Sequence, residues 1–169
     1  MSFRMPIRGE TYASSKLARQ TDASKYIVTD FDIYYAGAVL GLCARQRIPV
    51  ENYDAEINRE LTRTYPKDRL EIADTIAGML VEAELTRQSI DPGNAKLILA
   101  TIEEYLSSAS QTRLTTAGHK LLDRYAAAGF RLLEERFGDD GFRYEEEFFV
   151  AYLGLLDEIC SSNNTEDRR

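Results

Sequence analysis

The residues of this 169-residue chain that could do chemistry are few: one histidine, His119, and two cysteines, Cys43 and Cys160. A single histidine excludes a multi-histidine metal site and a paired-histidine acid–base centre. His119 with either cysteine would make a thiol–imidazole pair, but no motif around Cys43 or Cys160 supports one. Both cysteines sit in apolar stretches and read as small buried side chains. His119, beside Lys120 and early in a helix, reads as a partly exposed helical residue.

Carboxylates are abundant but badly spaced for catalysis. Glu103/Glu104 and Glu134/Glu135 are sequence neighbours, and adjacent residues do not share a helix face. Asp140-Gly141 followed by Glu147 matches the middle glycine and last glutamate of a calcium loop. That register, however, puts Arg136 at the first ligand position, Gly138 at the third and Arg143 at the central apolar one. Glu145, Glu146 and Glu147 read instead as first-turn acids favoured by a helix dipole, and as a candidate docking face for a basic partner. There is no GxxxxGK[ST] and no GxGxxG after a strand, so no motif supports a nucleotide cradle. The ten tyrosines are not interleaved with lysine and arginine as a base-stacking surface would require. No catalytic residue, metal ligand or cofactor is expected.

Charge is placed unevenly. Residues 1–26 carry Arg4, Arg8, Lys16, Arg19 and Lys25 against Glu10 and Asp22, a local sum of +3, so that with a net charge of −7 the remainder carries −10. An acidic body repels phosphate backbones, so nucleic acid is left only the N-terminal arm. The two cysteines lie far apart, and the N-terminus lacks the apolar core of a signal peptide. Both features fit a reducing cytoplasm.

The elements that must position these residues read as helices. The run from Phe31 to about Gln46, capped by Thr29 or Asp30 and followed by Pro49, is the most apolar. Its uninterrupted apolar stretch of twelve residues is too short to span a membrane, which takes about twenty. Gly37 and Gly41 mark close helix packing. Further helices are expected over 54–64, 67–88, 94–108, 114–137 and 143–160, on apolar positions at helical spacing. In the 94–108 helix Ile98, Ile102, Tyr105 and Leu106 are expected to face inward. No strand-length alternation is evident. The reading is an all-α, single compact domain of about six helices: an irregular basic arm at 1–29, a helical domain at 30–160 and a flexible tail at 161–169.

One stretch carries a family resemblance. Asp32, Ile33, Tyr34, Ala36, Ala38, Leu40, Gly41, Arg47 and Pro49 form an acidic–aliphatic–aromatic start, a run of small residues, Leu-Gly and a basic exit. That pattern resembles a segment of small bacterial proteins associated with Dnd DNA phosphorothioation systems. The resemblance implies an accessory role in a DNA-modification or antiphage defence locus, with no catalytic residue attached.

The first functional expectation is therefore a non-enzymatic accessory or adaptor protein that contacts other proteins or a second copy of itself. Its candidate surfaces are Arg4, Arg8, Lys16 and Arg19, the Arg45/Arg47 edge, and Glu145–Glu147. A nucleic-acid-binding module using the basic arm is the second expectation. A small-molecule-binding helical bundle is the third, and it requires a closed cavity of about 300–1,000 Å³ with convergent polar groups.

Overall fold

The computed structural model describes residues 2–15, 29–138, 142 and 145–166. The expected all-α class holds. Among the described residues seven α-helices accompany one two-stranded sheet.

Helix α2 (Asp30–Cys43) runs through the middle of the domain. Most of its side chains are buried, and a half-buried face runs through Asp32, Tyr35, Val39 and Cys43. The Thr29 N–H donates to the Asp32 carboxylate at 2.8 Å, which satisfies a donor that helix geometry would leave unpaired. The helix ends three residues earlier than expected. Arg45 adopts a left-handed conformation (φ 55°) and the Gln46 N–H returns to the Gly41 carbonyl at 3.0 Å, closing the helix before Pro49.

Helix α6 (Thr116–Phe137) lies against α2 at very short range. Thr115 caps it by accepting the Gly118 N–H at 3.0 Å. A Cβ on Gly129 would fall 1.8 Å from the Gly37 carbonyl oxygen, and one on Gly41 would fall 2.0 Å from that of Tyr125. The glycine pair on α2 therefore does set close packing, and its counterpart is Gly129. Two apolar clusters flank α2. One joins Phe31, Tyr34 and Leu42 to Ile76 and Leu80 of α4 (Ile72–Arg87) and to Leu121, Leu122 and Tyr125 of α6. The other joins Ile33 and Leu40 to Phe130 and Leu133 of α6 and to Phe148, Tyr152 and Leu155 of α7 (Glu145–Glu166). Helix α7 runs past the expected end at residue 160 into the expected tail.

Two segments differ from the sequence reading. Part of the arm at 1–29 is regular: Phe3–Pro6 form strand β1 and Ile7–Ser15 form helix α1. Phe3 and Met5 are fully buried and Tyr12 nearly so, and this apolar anchoring is what orders the arm. The segment expected to be a helix at 54–64 makes only one turn, α3 (Tyr53–Glu56), and then becomes strand β2 (Ile57–Thr62). It pairs antiparallel with β1 through Phe3↔Thr62, Arg4↔Glu60 and Pro6↔Ile57. The distant strand overrides the helical spacing of Ile57 and Leu61, as tertiary context commonly does over short windows.

Candidate functional site

The candidate partner-binding cations fall into two groups. Arg4 and Arg8 are engaged within the fold: the Arg4 guanidinium donates to the Asn58 carbonyl at 2.7 Å, and Arg8 pairs with Glu134. Lys16 and Arg19 lie outside the described residues, as does the Asp139–Gly141 segment of the calcium-loop pattern. Arg45 and Arg47 do lie together, just past the end of α2. Arg45 pairs with Glu82 at 3.0 Å, and Arg47 Nε lies 3.3 Å from Glu84 Oε1.

Glu84 is fully buried. It accepts from Tyr125 Oη at 2.6 Å, from Arg87 Nε and Nη2 at 3.2 Å, and from Gln88 Nε2 at 3.1 Å. Burial opposes its charge, yet Arg87, Tyr125, Arg47 and Gln88 together hold its carboxyl below the usual value. Arg124, on the adjoining face of α6, donates from Nε to the Ile48 carbonyl at 2.8 Å. Its pKa is depressed by burial and then by the charge of Arg47. Two arginines thus pair with one buried carboxylate, and a third, Arg124, stands beside them.

A second buried acid, Asp123, ties together β1, α2 and α3. Its Oδ1 accepts from the Arg4 N–H at 3.1 Å and from Tyr34 Oη at 2.8 Å, and its Oδ2 accepts from Tyr53 Oη at 2.8 Å. Neither acid appeared in the sequence reading. The signal was available: Glu84 falls in line with Ala77 and Leu80, and Asp123 with Ala126 and Phe130, so each is an acid on an apolar helix stripe. A buried acid must find partners, and such a position announces them.

His119 is buried rather than partly exposed, at 3% exposure, because Phe3 of the sheet packs on its ring with centroids 4.7 Å apart. Burial depresses its pKa to about 4, so it is neutral at physiological pH. Its Nε2 lies 2.9 Å from Thr112 Oγ1, which lies 2.8 Å from Ser110 Oγ, while Nδ1 has no partner. These side chains line an open pocket of about 510 Å³ with Arg63, Ser107 and Thr116. Its volume is that of a small-molecule site, but it opens to solvent and is not the closed cavity such a site was expected to need. Its hydroxyl chain does not make a nucleophile–base pair: Thr112 stands between serine and imidazole, and no acid orients Nδ1.

The Cys43 thiol is not poised as a nucleophile. Burial, with Cys160 beside it, pushes the Cys43 thiol up to about 12, so it holds its proton at neutral pH. Cys160 is exposed, contrary to its buried reading. Among the described residues no three His, Cys, Asp or Glu side chains gather as a metal site. No described helix is long and apolar enough to cross a membrane.

The acidic candidates Glu146 and Glu147 are exposed at the start of α7, in line with Val150 (74% exposed) and Leu153 (57%). The larger departure is α5 (Ala95–Tyr105). Only Thr101 of this helix is buried. Leu97, Leu99 and Ile102 are 46%, 54% and 37% exposed, although Ile102 was expected to face inward. Ala95, Leu99 and Ile102 recur at i, i+4 and i+7, forming one apolar stripe, and Lys96 and Glu103 run beside it, both exposed.

No protein-family model, curated protein or solved structure matches this chain.

Proposed function

We propose that this protein is a non-catalytic helical accessory protein that works through protein–protein contact, and that α5 is its contact helix. The supporting observation is the outward apolar stripe of α5, in a fold whose helices α2, α4 and α6 leave none of their large apolar side chains exposed. An exposed contiguous apolar strip of this kind is costly in water unless a partner covers it.

The occupant that the charge pattern suits is a second copy of the chain. In an antiparallel pairing of two α5 helices, Leu99 meets Ile102 of the copy and Lys96 meets Glu103. Both contacts are self-complementary, as a two-fold interface requires. Sedimentation equilibrium over a range of protein concentrations tests this. The wild type is expected to dimerise as concentration rises, and Leu99→Glu is expected to stay monomeric with an unchanged helical circular dichroism spectrum. A wild type that is monomeric at all concentrations, or a Leu99→Glu variant that still dimerises, contradicts the reading. A bacterial defence or DNA-processing assembly is the setting that the short resemblance around Asp32–Pro49 suggests for this contact.

A further inference from the structure

We propose that Arg47, Arg87 and Arg124 form a binding site for a phosphate dianion. Three observations support it independently of the α5 contact.

The first is charge balance. Arg47 and Arg87 pair with Glu84, Arg124 is held beside them on the Ile48 carbonyl with no acid of its own, and the nearby Arg45 pairs with Glu82. Two positive charges are left over in a protein of net charge −7. Of the other acids nearby, Asp123 beside Arg124 is taken up by Arg4, Tyr34 and Tyr53, and Glu104 by Tyr105. Close like charges repel, and Arg47 and Arg87 both lower the Arg124 pKa after burial does.

The second is the supply of donors. Arg124 uses only Nε, on Ile48 O; Arg87 uses Nε and Nη2; and Arg47 contacts Glu84 through Nε. Among the described residues nothing pairs with the Nη groups of Arg47 and Arg124 or with Nη1 of Arg87. Guanidinium forks match the oxygens of phosphate. A phosphate monoester near neutral pH carries close to two negative charges, which offsets the excess; a carboxylate offsets half of it.

The third is that the donors are held in place. Glu84 is fully buried and anchors Arg47 and Arg87, while the Ile48 carbonyl anchors Arg124. The Arg47 side chain keeps 17% exposure and that of Arg87 36%, so solutes reach both. Pre-positioned donors reduce the ordering cost of binding.

Isothermal titration calorimetry with inorganic phosphate, at pH 7.5 and at ionic strength held constant with potassium chloride, is the test. Saturable binding is expected, weakened about tenfold or more in Arg124→Gln and in Arg47→Gln, as loss of charge-assisted bonds predicts. Adenosine 5′-monophosphate against adenosine, and a phosphoserine peptide against its unphosphorylated form, then show which carrier the site prefers; in each pair only the phosphorylated member is expected to bind. No heat beyond that of the chloride control overturns the proposal, and so does unchanged affinity in both variants. Binding of DNA that orthophosphate does not displace also overturns it.

Discussion

Asp123 holds its proton more tightly in the fold than in the unfolded chain. Burial raises its pKa from 3.8 to about 6, against the opposing bonds from Arg4, Tyr34 and Tyr53. The preference for the neutral form amounts to on the order of 3 kcal/mol. By linkage, this group's contribution to stability is largest below about pH 4 and falls as pH rises to about 6. Asp123→Asn keeps an acceptor for Arg4 and Tyr34 without a charge. The difference in Tm between variant and wild type should therefore shift in the variant's favour from pH 4 to pH 7; a difference that stays constant contradicts a buried, protonatable Asp123. His119 acts in the other sense. Its pKa falls from 6.5 to about 4, so acidification below pH 6.5 protonates the unfolded chain first and removes stability down to about pH 4. As the chain's one histidine, it can be followed by imidazole NMR, which should show a midpoint near 4 and no titration near 6.5. Sequence spacing failed for His119 because its burial comes from Phe3, more than a hundred positions away.

The α2–α6 contact was legible at the scale of elements, because Gly37 and Gly41 four residues apart announce a close approach whatever the partner. The identity of the partner was not legible, since several small residues competed for the role. The contact can be tested against a control. Gly129→Ala forces a Cβ to within 1.8 Å of the Gly37 carbonyl oxygen, and overpacking of this kind should cost more than about 2 kcal/mol. Gly78, in the middle of α4, has nothing within 4 Å of an added Cβ, so Gly78→Ala should stabilise by roughly 0.5–1 kcal/mol. Urea unfolding of both variants checks the contrast, and equal effects would contradict the close backbone approach. The β1–β2 pair was missed for a physical reason: each strand is short, and neither is stable without the other or without Phe3 and Met5 in the core. For α5 the periodicity gave a helix correctly. It could not give the orientation, because Leu97, Ile98, Leu99 and Ile102 spread the apolar surface over more than one face.

At the scale of the whole molecule, net charge is a poor guide to local surface. The chain is acidic overall, yet the fold gathers Arg47, Arg87 and Arg124 around Glu84 and ties Arg4 and Arg8 of the basic arm to internal acceptors. Residues distant in sequence thereby exchange the surfaces that linear charge counting assigns them. Val150 and Leu153 of α7 remain outward, as does the apolar stripe of α5 with its Lys96/Glu103 flank, which is the proposed contact. Reversing those two charges tests it most directly. By sedimentation equilibrium, Lys96→Glu and Glu103→Lys should each weaken dimerisation, because each places like charges opposite one another in the antiparallel pair. The double variant carrying both substitutions should recover the wild-type association. Equal association in all four proteins, or a double variant weaker than either single one, would contradict the pairing of α5 with its copy.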